Sequence, residues 1–205
     1  MINKFNFETH TFSAFQRPKI MNKACGDSYW LKDTDGEMIC VIADGLGSGE
    51  QAQLASKAAV KTVQQFEAHS IKEIVNQVNE EQKSFRGVVL SIIKYNKKTE
   101  WLEFCGVGNI CLKIISGPNT IIHPRPKNGF LSGRPVEIVV QQLKMPRNSW
   151  LAMYSDGISL QVKKLDFLYN ILSNCTFNEI NKYLEMEPTN SIKQDDITII
   201  IGKPN

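Results

Sequence analysis

Four aspartates stand where the sequence changes character: Asp27 in Cys-Gly-Asp-Ser, Asp44 in Ala-Asp-Gly-Leu-Gly, Asp156 in Ser-Asp-Gly and Asp195 in Gln-Asp-Asp-Ile-Thr. At least three of them mark a junction between an apolar run and a turn. Separate strands aim several carboxylates at one point in this way. Hard divalent cations such as Mg²⁺ and Mn²⁺ prefer oxygen ligands of this kind. The chemistry this predicts is a two-metal hydrolase, with a phosphoester as the substrate.

The elements that must position these residues follow from periodicity. Phe5 to Phe15 alternates aromatic and polar residues and reads as a strand. Ser28–Leu31 and Met38–Ala43 flank Asp35-Gly36, a hairpin signal. After Gly49 the period changes: Ala52, Ala55, Ala59, Val63 and Phe66 recur at helical spacing. Ser70 with Glu73 three residues on predicts a capped second helix, whose apolar stripe is Ile71, Ile74, Val75 and Val78. Strands are expected at Gly87–Tyr95, Glu100–Val107, Ile110–Ile115, Val136–Leu143 and Trp150–Ser155. Two helices follow near Val162–Ser173 and Thr176–Leu184, then a last apolar strand from Asp196. Long antiparallel runs broken by helix pairs predict an α+β sandwich of two sheets with helices outside.

Each motif has an ordinary reading as well. An isolated Asp-Gly is usually a turn. Asp44 differs because it ends an apolar strand and precedes Leu-Gly-Ser-Gly and a helix, while Gly45 leaves its carbonyl accessible. The glycines do not make a nucleotide loop, since they space as G-x-G-x-G with no Gly-Lys-Ser/Thr after them. Asp156 repeats the strand, Asp-Gly, helix construction. The adjacent Asp195 and Asp196 repel each other unless a cation or solvent compensates, and a solvated strand edge is the plain alternative.

Composition narrows the classes. A chain of 205 residues is most simply one domain, and a net charge of +3 does not argue for nucleic acid. The N-terminus has no signal-peptide apolar region, and no apolar run is long enough to cross a bilayer. The five cysteines are scattered without a C-x-x-C pair, which predicts buried free thiols in a reducing cytoplasm rather than a zinc site. His10, His69 and His123 read as surface or structural residues, with His123 the one candidate general acid.

Taken together the motifs resemble the metal-dependent PPM-type serine/threonine phosphatases, in the bacterial branch that includes SpoIIE. The matching pieces are Gly26-Asp27-Ser28, Ala43-Asp44-Gly45-Leu46-Gly47-Ser48-Gly49, Gly106-Val107-Gly108-Asn109, Ser155-Asp156-Gly157 and Asp195-Asp196-Ile197-Thr198. They occur in the family's order and span nearly the whole chain. The resemblance implies a four-layer α-β-β-α sandwich, a single domain over 1–205, with two Mn²⁺ or Mg²⁺ ions at one end of the sheets. Asp44 would bridge both ions with help from the Gly45 carbonyl. Asp156 and Asp195 would hold one ion and Asp27 the other. Gly26 stands where eukaryotic members carry a glutamate ligand, so the ion on Asp27 is expected to bind more weakly. The phosphate-gripping arginine of those enzymes is replaced by Asn22.

The implied activity is hydrolysis of phosphoserine or phosphothreonine on partner proteins in the cytoplasm. Cations held this way acidify water and neutralise charge on phosphoryl oxygens, so no cysteine nucleophile is needed. The short length and missing sensor domain resemble branch members that act on phosphorylated STAS-domain proteins of the stressosome (RsbS and RsbR types) and restrain the sigma-B stress response. The irregular segment His123–Pro135 carries Arg125, Lys127 and Arg134, which are candidates to seat a phosphoprotein. A solvated connection is the equal alternative. The competing class is a phosphatase fold that docks phosphoproteins without hydrolysing them. A third reading, a nucleotide or nucleic-acid hydrolase, lacks a basic, aromatic-interleaved stretch.

Overall fold

The computed structural model describes residues 1–7, 10–19, 23–117, 120–146, 148–158, 179, 182 and 195–205. Eleven strands, two α-helices and a short 3-10 helix (Gln82–Ser84) occur among them. The strands are β1 (Ile2–Asn6), β2 (His10–Arg17), β3 (Asp27–Asp33), β4 (Glu37–Gly45), β5 (Val88–Asn96) and β6 (Trp101–Val107). Then come β7 (Cys111–Gly117), β8 (Thr120–Ile122), β9 (Gln141–Lys144), β10 (Trp150–Tyr154) and β11 (Ile197–Pro204). Helices α1 (Glu50–Gln65) and α2 (Ile71–Glu81) connect β4 to β5.

The strands form two antiparallel sheets, ordered β1-β2-β11-β10-β7-β8 and β3-β4-β5-β6-β9. Strand alternation explains how they stack. Met38, Cys40 and Ile42 of β4 meet Phe12, Leu151, Met153 and Ile200 of the other sheet in one buried cluster. The alternate residues Ile39, Val41 and Ala43 pack instead against Ala59, Val63, Ile74, Val75 and Val78 of the helices. A third cluster, with Phe15, Ile115, Trp150, Ile199 and Ile201, lies on the far face of the six-stranded sheet. The fold is therefore α+β, with one helical layer and two sheets among the described residues. The helices expected near 162–173 and 176–184 lie almost wholly outside them.

Ser70 caps α2 as its spacing predicts, accepting from the Glu73 N–H while Glu73 reaches back to the Ser70 N–H. Two expectations need correction. Phe5–Phe15 is a hairpin rather than one strand, because Phe5 pairs with Phe12 across the ladder. Val136–Leu143 is a strand only from Gln141. Val136, Ile138 and Val140 are apolar because they pack against the helix-side core, which an extended segment achieves without a ladder.

Candidate metal centre

The inward-facing stripe of each central strand ends in a polar residue at the same end of the sandwich. In β4 the series Met38, Cys40, Ile42 continues to Asp44. In β3, Leu31 and Tyr29 lead back to Asp27, and Asp27 faces Asp44 directly across the ladder. In β10, Leu151 and Met153 lead to Ser155, and in β11, Ile200 leads back to Thr198 and Asp196. Side-chain parity that fills the core thus delivers the carboxylates to one rim.

Two glycines let the elements close around this rim. A Cβ on Gly45 would lie 1.9 Å from the Ala52 carbonyl oxygen, so only glycine admits the first turn of α1 so near the end of β4. A Cβ on Gly157 would lie 2.2 Å from the Asp196 carbonyl oxygen. The two Asp-Gly junctions are close approaches of backbone as well as turns.

The electrostatics record the convergence. Burial pushes the Asp44 carboxyl up to about 8, and the charges of Asp27, Asp156, Asp195 and Asp196 add to the shift. Burial also raises Asp27 to about 6, although bonds from Thr198 and Ser155 pull it back. Ser155 Oγ donates to Asp27 Oδ2 at 2.8 Å and accepts the Thr198 N–H at 3.0 Å. One hydroxyl therefore fastens the two sheets together at the rim.

The other carboxylates are also held by protein donors. Asn109 Nδ2 donates to Asp156 Oδ2 at 3.0 Å. Asp195 Oδ1 accepts the Asp196 N–H at 2.9 Å. Asp196 takes the Gly26 N–H on Oδ2 and the Lys19 N–H on Oδ1, both at 2.6 Å. Among the described residues no three His, Cys, Asp or Glu side chains are drawn into a closed cage. Asp27, Asp156, Asp195 and Asp196 each take a protein donor instead. The donor set is still entirely oxygen and strongly self-repelling, which fits hard divalent cations.

Asp27, Asp44 and Asp156 share this rim with the Gly45 backbone, and Asp195 adds its charge to the field at Asp44. Three contributors escaped sequence reasoning about the site: Ser155 and Asn109, which hold Asp27 and Asp156, and Asp196, which clamps the segment before Asp27. Asn109 carried a signal in its Gly-Val-Gly-Asn turn. Asp196 carried one in being the inward-facing member of the acidic pair.

Gly26 now has a physical reason. A Cβ there would lie 2.9 Å from Asp196 Oδ2 and 3.2 Å from the Ala52 Cβ, so the space of a larger side chain is filled by the Asp196 carboxylate. The irregular segment 123–135 borders the same end of the five-stranded sheet. Lys127 exchanges backbone bonds with Gly106 and Gly108, and Leu131 pairs with Val88. Lys127 Nζ is engaged by Glu137 at 3.0 Å, while Arg125 and Arg134 offer backbone carbonyls to Gln141 and Asn79. Arg86, which the sequence did not single out, lies against Gly47, its Nη1 3.1 Å from where a Cβ would stand.

Cys25, Cys40 and Cys105 are buried free thiols, Cys111 is half-buried, and Cys175 lies outside the described residues. Burial and the neighbouring Asp27 push Cys25 up to about 12, far from a reactive thiolate. His10 is buried against the Ser149 carbonyl, and His123 Nδ1 lies 2.8 Å from the Leu112 carbonyl.

Comparison with known proteins fits this geometry. Residues 34–203 match the family model of the stage II sporulation protein E, SpoIIE. The chain is 30% identical over 189 residues, 92% of each chain, to the phosphoserine phosphatase RsbX of Bacillus subtilis (strain 168). A crystal structure of RsbX in complex with magnesium superposes with a TM-score of 0.87, at 29% identity over 100% of both chains. A structure from work on the bacterial stressosome gives a TM-score of 0.83, at 23% identity over 96% of this chain and 100% of the other, and shows the fold alone. The chain belongs to the SpoIIE family and is a metal-dependent protein phosphatase of the PP2C type. Among its relatives RsbX is similar along nearly the whole length.

Proposed function

We propose that residues 1–205 form one phosphatase domain that hydrolyses phosphoserine or phosphothreonine on partner proteins. The observation that carries this reading is the set at Asp44, a half-buried carboxyl that Asp27 faces across the β3–β4 ladder and to which Asp156, Asp195 and Asp196 add their charges. Asp44 would contact two cations, Mn²⁺ or Mg²⁺, with the Gly45 carbonyl beside it. Asp156 and Asp195 would complete one ion, and Asp27 the other. When bound, such ions supply an acidified water and offset charge building on the phosphoryl oxygens.

The chain's own residues prepare that chemistry. Ser155 turns Asp27 toward the rim and stabilises its ionised form by donating a hydrogen bond. Asn109 orients Asp156 by donating to its Oδ2. Asp196 fixes the Gly26 amide, and so the direction in which the chain presents Asp27. Arg86, Arg125, Lys127 and Arg134 border the same end, with Lys127 already engaged by Glu137. Phe130, exposed at 46% within this segment, offers an apolar contact to a protein partner.

The likeness to RsbX supports a finer reading: phosphorylated STAS-domain proteins of the stressosome as substrates, and restraint of the sigma-B response as the role. A cytoplasmic location belongs to this reading. Among the described residues no helix is long and apolar enough to cross a membrane. The test is release of phosphate from a serine-phosphorylated STAS-domain protein, with Mn²⁺ and with chelator. Metal-dependent release is expected. Binding of the phosphoprotein without any release, there or from an aryl phosphate, would make the chain a docking module instead.

A further inference from the structure

A groove of about 260 Å³ opens beside Asp27 and runs between β3 and α1, with Gln16 of β2 closing one end. Its walls include Tyr29 on the strand and Gln53, Lys57 and Lys61 on the helix. The last three are spaced by four residues, so they form one stripe along α1.

The strand side of this groove is open. Among the described residues β3 is the outer strand of its sheet, with only β4 beside it. Because the Gly45 N–H donates to the Gly26 carbonyl, alternation turns the backbone groups of Asp27 and Tyr29 away from β4 and into the groove. The Asp27 carbonyl confirms the direction, since Gln16 Nε2 reaches it at 3.2 Å from the outside. The backbone of Tyr29 has no partner among the described residues.

The helix side carries charge without a counterion among the described residues. Lys32, Lys83, Lys97 and Lys127 each meet a carboxylate. Lys57 and Lys61, both exposed, meet none among the described residues. Four residues of helix advance about 6 Å, and two residues of extended chain advance about 6.6 Å. Acidic side chains at alternating positions of a strand therefore match the spacing of Lys57 and Lys61.

From this we infer that the groove receives an extended, acidic stretch of the substrate protein. The stretch adds to the open edge of β3 and sets two carboxylates, two residues apart, against Lys57 and Lys61. This inference rests on the phosphatase reading, because the groove leads to Asp27 and would feed a neighbouring phosphoserine toward the rim. Strand addition supplies affinity through the backbone, and the lysines select sequence.

The experiment uses synthetic phosphoserine peptides carrying two Glu at alternating positions, N-terminal or C-terminal to the phosphoserine, each against a Gln-containing control. One placement is expected to raise kcat/KM about fivefold over its control, mainly through KM, as two rim-exposed ion pairs allow. In Lys57→Glu/Lys61→Glu that ratio should fall to one or below. The milder Lys57→Gln/Lys61→Gln should give the same loss, which guards against a fold defect from charge reversal. Equal rates on Glu and Gln peptides in the wild-type protein overturn the groove while leaving the phosphatase reading intact. A Glu preference that survives both double variants overturns it too. No hydrolysis of any peptide or of an aryl phosphate would instead overturn the phosphatase reading.

Discussion

Asp27 and Asp44 face each other across the β3–β4 ladder, two carboxylates on the same inward face of one sheet. Opposed like charges destabilise a sheet pair. The arrangement is tolerable when the groups are protonated or when cations lie between them.

That relationship sets a pH dependence. Asp27 is raised to about 6 and Asp44 to about 8, both first by burial and then by neighbouring carboxylates. An unfolded aspartate titrates near pH ~4, so between about pH 4 and pH 8 the folded, metal-free protein holds protons that the unfolded chain has released. Stability from these groups is fully present below about pH 4 and is lost as pH rises through the folded values. In chelator, the melting temperature of the wild-type protein should fall relative to Asp44→Asn as pH goes from 5 to 8. Added Mn²⁺ should restore it most at pH 8 and release protons at pH 6 to 7. A difference between the two proteins that does not change with pH would refute this account.

Ser155 offers a sharper probe, since its hydroxyl donates to the Asp27 carboxylate and accepts the Thr198 amide. Ser155→Ala should raise the metal concentration for half-maximal activity by about tenfold, the usual cost of losing a partner behind a ligand. Ser155→Thr, which keeps a hydroxyl, should recover part of it. Metal titration of aryl phosphate hydrolysis checks this. An unchanged metal requirement in Ser155→Ala would show that the bond has no bearing on the centre.

Asp196 should behave as a positioning residue. Asp196→Ala removes the acceptor for the Gly26 and Lys19 amides and leaves Asp27 on a looser segment. Activity at limiting metal should fall by about tenfold or more, while saturating metal recovers most of it. Asp196→Asn, which keeps one acceptor oxygen, should lie between. A loss that saturating metal leaves untouched would place Asp196 among the groups touching substrate.

The fold and the rim were legible to different depths. The β3–β4 hairpin, both helices of the connection and the capping box followed from local periodicity, because each is closed by contacts between near neighbours. The β1–β2 hairpin was missed because its alternation continues across the turn without an Asp-Gly or Asn-Gly marker. The run Val136–Val140 misled because packing against a helix-side core needs the same apolar residues as a strand. The aspartates announced themselves through Asp-Gly junctions. Ser155, Asn109 and Asp196 act through bonds of long sequence separation that no local pattern records. Lys57 and Lys61 have no sequence marker, because their place beside the outer strand β3 comes only from the packing of α1.

The central claim is that Asp27, Asp44, Asp156 and Asp195 form one metal-dependent hydrolytic centre, with the Asp27 side the weaker. Hydrolysis of an aryl phosphate across a Mn²⁺ titration, for the wild type, Asp27→Asn and Asp44→Ala, tests it most directly. The account predicts no activity in chelator, a two-step rise with metal in the wild type, loss of the second step in Asp27→Asn, and a rate about 100-fold lower in Asp44→Ala. Activity that persists in chelator, or an Asp44→Ala rate equal to wild type, would contradict it.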